Sequence, residues 1–134
     1  MLITTLLTLS GAFSGPGSAV TPLRTRPCSE IFVDVELSEQ SFTMFHGGYI
    51  CRDLQASYDR YRMEVRDGEL FSRGQRVGQL TADALEISFE DRDEGFRYEL
   101  TLRQVSPLQL EYREVWREGE RESLSVRGTL LRLD

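Results

Sequence analysis

The sequence predicts a mostly β fold: an antiparallel up-and-down meander that closes, or curls, into a small barrel. From residue 31 onward, apolar residues alternate with polar ones, as in strands that bury one face. Short polar turns separate these runs, and Asp67-Gly68 is the clearest hairpin turn among them. Since most strands have only one apolar face, the sheet has to close on itself or be covered.

The N-terminal segment has the features of an export signal. Met1 to Val20 contains no Asp, Glu, Lys or Arg, and its apolar run over 2–9 is shorter than the ~20 residues of a membrane span. Small residues offer two cleavage sites, before Phe13 and before Val20. We predict a signal peptide over 1–19, an extended linker over 20–29 and one β domain over 30–134. The alternatives are a disordered tail or a misplaced start. Leu9-Ser10-Gly11 resembles the start of a lipoprotein signal, but the next position, where such a signal has the lipid-accepting cysteine, is Ala12. No lipid anchor is therefore predicted.

The chain has two cysteines, Cys28 and Cys51. In an oxidising compartment their default state is a disulfide, here closing a loop of about 23 residues. Two cysteines and one histidine fall short of the usual four-ligand zinc set. A reactive thiol paired with His46 is the remaining alternative. We therefore predict a disulfide, no metal, no cofactor, and a periplasmic or secreted location.

The first half of the domain contains two predicted strands and an ambiguous stretch. Residues 31–37 alternate as a half-buried strand, and 42–46 form a second strand that Gly47-Gly48 closes, with 49–51 as the return strand. Leu54, Tyr58 and Tyr61 have helical spacing, although the residues up to Asp67-Gly68 also alternate. We expect a short helical segment near 53–59 and then a strand over 60–66.

The second half is more regular. Strands are predicted near 69–74, 76–80, 85–89, 96–102, 108–116 and 124–130, with a polar loop over 90–95 and a bulge or bend at Gly128. This number and rhythm of strands resembles lipocalin-type and avidin-type barrels in outline. The resemblance implies a small barrel and transfers no site residues.

Charge and motifs exclude several functions. The formal net charge is −6, with 22 acidic residues against 16 basic ones, all arginine, so a nucleic-acid partner is not expected. The outward faces carry charges that favour water over lipid, so no membrane span is expected: Arg97, Glu99, Arg103, Glu111 and Arg113. The sequence contains no G-x-S-x-G elbow and no glycine-rich phosphate loop, and we predict that the protein is not an enzyme.

Aromatic residues indicate a binding site. Tyrosine and tryptophan combine an apolar body with a polar tip, which suits pocket walls, although they also fill barrels that have no cavity. The candidate binding residues are Phe45, His46, Tyr49, Tyr112 and Trp116. The predicted function is an exported barrel that binds a small apolar or amphipathic ligand. The alternative is an envelope or extracellular protein-interaction domain, an accessory factor or enzyme inhibitor, with no ligand cavity and with either an exposed apolar patch or a protruding loop around 42–50.

Overall fold

The computed structural model describes residues 9–133, and these form eleven β-strands. Their bounds are β1 (Gly11–Val20), β2 (Thr25–Leu37), β3 (Ser41–Cys51), β4 (Leu54–Tyr58), β5 (Tyr61–Arg66), β6 (Glu69–Ser72), β7 (Gln75–Leu80), β8 (Ala84–Asp91), β9 (Phe96–Ser106), β10 (Gln109–Glu118) and β11 (Arg121–Arg132). The apolar run expected over 2–9 lies outside the described residues except for Leu9.

The strands form a closed antiparallel barrel, which confirms the predicted fold class. Ten of the described strands make a ring in which β1 pairs with both β2 and β11 and β2 also pairs with β3. The remaining strand, β4, lies beside β3 in line with β5. Closure leaves the ring without a free strand edge. It also encloses the apolar faces of the strands, as the one-sided apolar pattern of the sequence required.

The helical segment expected near 53–59 is wrong, because this stretch is β4. It pairs with the second half of β3, from Cys51↔Leu54 to Gly47↔Tyr58, and β5 continues the same register from Met44↔Tyr61. The two strands are therefore one strand interrupted at Asp59 and Arg60. The helical spacing of a few apolar residues is only a weak local preference. Hydrogen-bonded pairing with β3 along the whole segment outweighs it, so the tertiary context determines the secondary structure here.

The hairpin expected at Gly47-Gly48 is also wrong, since β3 runs through both glycines as a single strand. A Cβ at Gly48 would lie 2.2 Å from the carbonyl oxygen of Ala56 on β4. At Gly128, where we expected a bulge, the pairing stays in register, and a Cβ would lie 2.6 Å from the carbonyl oxygen of Pro16 on β1. These glycines permit close strand contact and do not form turns.

The N-terminal boundaries differ from those expected. The predicted linker over 20–29 contains only a short turn, closed by the Thr21 amide donating to the Arg24 carbonyl at 2.9 Å, before β2 begins at Thr25. Strand β1 overlaps the predicted signal peptide and buries Phe13 and Ala19 in the barrel. The barrel of the described chain therefore includes residues on the N-terminal side of 30. Removal of 1–19 stays a prediction.

One end of the barrel is filled with apolar side chains. The first residues of β1, β3 and β10 and the last of β2 and β11 meet there, because neighbouring strands are antiparallel. Arg132 covers this end: its guanidinium lies 4.6 Å from the centre of the Phe13 ring and donates to the Ser10 carbonyl at 2.6 Å. The buried apolar residues of the filled end are Leu9, Phe13, Leu37, Phe42, Leu110 and Leu130.

The outer surface is charged, as the alternation predicted. Arg117 contacts Glu99 at 3.0 Å, and Arg103 contacts Asp83 at 2.9 Å. The Arg103–Asp83 pair is exposed, and exposed ion pairs contribute little to stability, about 0–1 kcal/mol each. Within residues 9–133 there is no helix of the length and apolarity needed to cross a membrane.

Candidate functional site

A buried carboxylate occupies the interior of the barrel. Glu114 on β10 is 0% exposed, and its oxygens accept hydrogen bonds from four side chains of the described chain. The Tyr58 hydroxyl donates at 2.6 Å, the Trp116 indole N–H at 2.7 Å and the Tyr49 hydroxyl at 3.2 Å, all to Oε2. Tyr112 donates to Oε1. Both oxygens of the carboxylate are therefore hydrogen-bonded, and three of the four donors share Oε2.

Strand geometry places these groups together. Tyr112, Glu114 and Trp116 alternate along β10, so all three point inward. Tyr49 on β3 and Tyr58 on β4 reach Glu114 from across the barrel, and their rings contact edge to face, 6.3 Å apart. The cluster thus joins the two sides of the wall at its middle.

The tyrosines of the interior hold their protons strongly. Burial, and then the charge of Glu114, raise the pKa of Tyr49 to about 12. The same two causes, in the same order, raise the pKa values of Tyr58, Tyr61, Tyr98 and Tyr112 well above the ordinary value. These phenols therefore stay neutral and available as donors at physiological pH.

The second end of the barrel is an open pocket of about 320 Å³. It lies where the β6–β7 and β8–β9 hairpins turn, opposite the filled end. Arg62 is the one charged residue among those that line it. The other lining residues are mostly aromatic or aliphatic: Tyr58, Tyr61, Met63, Ser72, Val77, Ile87, Phe89, Phe96, Tyr98 and Trp116.

A row of aromatic residues connects this pocket to the buried carboxylate. Phe89, Tyr98 and Trp116 are cross-strand partners on β8, β9 and β10. The Tyr98 and Trp116 rings meet edge to face at 4.9 Å, and the Phe96 ring lies 5.1 Å from that of Trp116. Trp116 and Tyr58 both line the pocket and donate to Glu114, so the polar cluster forms its floor.

The five predicted binding residues fall into two groups. Tyr49, Tyr112 and Trp116 meet at Glu114. Phe45 and His46 instead lie exposed on the outer side of β3, at an irregularity in its pairing with β2. The Arg60 guanidinium lies 5.1 Å from the centre of the Phe45 ring, and the His46 ring packs at 4.8 Å on that of Phe32.

Two other features of the candidate site differ from the sequence analysis. The protruding loop expected around 42–50 is wrong, because this segment is part of the barrel wall. Glu114 was missed, although its position between Tyr112 and Trp116 was a readable signal: a carboxylate on the apolar face of a strand.

The structure joins Cys28 and Cys51 in a disulfide, which confirms the predicted pairing. The two residues are direct cross-strand partners, three residues after the start of β2 and at the end of β3. The neighbouring backbone is hydrogen-bonded as well, with the Arg52 amide donating to the Pro27 carbonyl at 3.0 Å. A disulfide is typical of a non-reducing environment.

Comparison with known proteins supports the fold. No protein family and no curated protein matches the sequence. Among solved structures, the chain is similar to a redesigned β-barrel, b11L5F_LGL, at 13% identity and a TM-score of 0.54, over 97% of this chain and 96% of that one. It is also similar to the redesigned barrel mFAP1 bound to DFHBI, at 14% identity and a TM-score of 0.53, over 96% and 98%. EF1p2_mFAP2b bound to DFHBI gives 14% and 0.54, over 99% and 100%.

Fold and site together define a class: a closed antiparallel barrel with one filled end, a buried polar cluster in the middle, and an open apolar pocket at the other end.

Proposed function

We propose that this barrel binds a small apolar or amphipathic molecule in the pocket at its open end, without catalysing its conversion. The observation that carries the proposal is the aromatic-walled pocket of about 320 Å³ above buried hydrogen-bonding groups. Small-molecule sites are usually concave, mostly apolar and supplied with a few polar groups. Two barrels of similar fold are bound to DFHBI, which is compatible with a small-molecule ligand for a barrel of this fold.

A fluorescence titration with the neutral apolar dye N-phenyl-1-naphthylamine tests the proposal. Val77 lines the pocket and is partly buried, whereas Val105 on β9 is 53% exposed. We expect saturable dye binding that Val77→Phe weakens by about tenfold or more, since the added ring occupies pocket volume. The matched variant Val105→Phe should bind like the wild type. Equal binding by all three proteins would contradict the proposed site.

We also propose export to the periplasm or the exterior, supported by the Cys28–Cys51 disulfide. Of the two candidate cleavage sites, the one before Phe13 would keep most of β1, and the one before Val20 would remove nearly all of it. We therefore favour cleavage before Phe13. Intact-mass measurement of the protein from its host tests this directly: a mature chain that begins at Val20 would contradict it.

A protein-interaction role is the second candidate, favoured by exposed apolar residues near the filled end. Leu108 is 64% exposed and Leu131 57% exposed, and the amide of Arg132 donates to the Leu108 carbonyl at 2.8 Å, which places them side by side. If this surface binds a protein, Leu108→Glu combined with Leu131→Glu should abolish co-purification of that partner, while Val77→Phe should leave it unchanged. Co-purification that survives the double variant would rule the surface out.

A further inference from the structure

The buried charge of Glu114 has no cationic partner in the described part of the chain. Its hydrogen-bond donors are three phenols and one indole, which are neutral, and no ion pair joins it to an arginine or to His46 among residues 9–133. Neutral donors stabilise a carboxylate without cancelling its net charge. Burial of such a charge is costly unless something of opposite sign compensates it.

The field of this charge extends into the pocket. Tyr61 and Tyr98 line the pocket and do not bond to Glu114, yet after burial the Glu114 charge is the next cause that raises their pKa values. A potential that opposes a negative phenolate at these positions opposes any bound anion there and favours a bound cation. The low dielectric of an apolar pocket strengthens both effects.

The aromatic walls of the pocket also favour a bound cation. Six aromatic rings surround the pocket, and the faces of such rings attract cations, most strongly for tryptophan. The rings of Tyr98 and Trp116 lie 4.9 Å apart at an interplanar angle of 65°, so they present differently oriented surfaces to the same space. The six rings are those of Tyr58, Tyr61, Phe89, Phe96, Tyr98 and Trp116.

We propose that the pocket selects an organic cation: a small molecule whose apolar body fills the aromatic walls and whose positive charge is held by the ring faces and by the buried carboxylate of Glu114. This inference rests on the proposed ligand-binding function and specifies its ligand class. The one opposing charge in the lining, Arg62, is an exposed residue, so solvent screens it more than it screens Glu114.

Three ligands of similar size test the charge preference. Phenyltrimethylammonium and tert-butylbenzene have nearly the same shape and differ by one positive charge, and benzenesulfonate supplies an anion. The indole N–H resonance of Trp116, the sole tryptophan, reports occupancy of the pocket in the full-length protein. Titration in about 0.5 M salt screens the general attraction of the chain's net charge of −6. We expect the cation to bind about tenfold tighter than its neutral isostere, and the anion weakest.

Variants separate the contribution of Glu114 to the cation preference from that of the aromatic rings. Glu114→Gln should reduce the ratio between cation and isostere to about threefold or less, which the aromatic faces alone would retain. Arg62→Gln should leave the ratio unchanged or raise it. Should Glu114→Gln fail to fold, the ratio between cation and isostere in the wild-type protein still decides whether the pocket selects a cation.

Each outcome separates this inference from the function on which it rests. Equal affinity for cation and isostere, or tighter binding of the anion, would overturn the cation inference while leaving ligand binding intact. If neither the naphthylamine dye nor any of the three ligands binds, the proposed function fails as well.

Discussion

Glu114 is a carboxylate with no exposure to water, inside a barrel whose other buried side chains are mostly apolar. Its burial is tolerable because donors from three strands surround it. The sequence contains 22 acidic residues, and nothing in the composition separates the inward one from those on the surface. Only the alternation of β10 identifies it, because Glu114 lies two residues from both Tyr112 and Trp116 and therefore on the same face of the strand. The partner residues Tyr49 and Tyr58 come from distant strands, and their convergence on this carboxylate could not be derived from local pattern.

Replacing Glu114 should destabilise the barrel. An amide at this position keeps one acceptor but turns N–H groups toward existing donors, so Glu114→Gln should reduce the free energy of unfolding by about 1–3 kcal/mol. Glu111 lies on the same strand and is exposed, so Glu111→Gln should change stability by less than about 0.5 kcal/mol. Urea unfolding of both variants measures the difference. Equal stability of the two would mean that the cluster contributes nothing.

Alkaline pH should unfold the protein through its tyrosines. All five have raised pKa values in the folded state, about 12 for Tyr49, against about 10 when unfolded. The folded state therefore binds these protons more tightly, and the resulting stability is fully present below pH 10 and is lost as the pH rises toward 12 and above. The chain has no lysine, so few other groups titrate there. Tyrosinate absorbance should appear together with unfolding; tyrosinate formed in the folded protein near pH 10 would contradict this.

Among the secondary-structure elements, β1 is the strand that could not be predicted from the sequence. Its residues, GAFSGPGSAV, are mostly small, with three glycines and one proline, and they lack the β-branched run that marks a strand. Pairing with β2 on one side and β11 on the other holds it in place. By contrast, β8, β9 and β10 were predicted well, because long alternation with large apolar residues is a strong local signal.

Deletion of the N-terminal segment tests the role of β1. A variant that lacks residues 1–19 loses this strand, and the barrel then opens between β2 and β11. We expect it to aggregate or to lose the near-ultraviolet circular dichroism signal of packed aromatic residues, because it exposes two strand edges. A variant that lacks only residues 1–8 retains every described strand and should unfold like the full chain. A well-folded 20–134 fragment would show that β1 is dispensable.

The disulfide between β2 and β3 should stabilise the fold measurably. Opening a loop of 23 residues costs roughly 3–3.5 kcal/mol by chain-entropy estimates. The double variant Cys28→Ala/Cys51→Ala, and separately the wild type under reducing conditions, should show this loss in urea unfolding. The two treatments serve as controls for each other. A change in the free energy of unfolding below about 1 kcal/mol in both would show that strand pairing alone holds β2 and β3 together at this point.

At the scale of the whole molecule, the closed barrel could be predicted and the position of its pocket could not. Closure follows from one-sided apolar strands joined by short turns, whereas the division into a filled and an open end depends on which interior residues share a level. Phe42 and Phe89 both look like interior aromatics in the sequence. The first is 0% exposed at the filled end, and the second is 50% exposed at the mouth of the pocket.

The most direct test of ligand binding at the open end is to locate a bound probe. With N-phenyl-1-naphthylamine added to the full-length protein, we predict intermolecular nuclear Overhauser effects from the dye to the Trp116 indole and to the Met63 methyl group, both of which line the pocket. Contacts confined to the exposed Leu108 and Leu131, or the absence of any contact at saturating dye, would contradict the account.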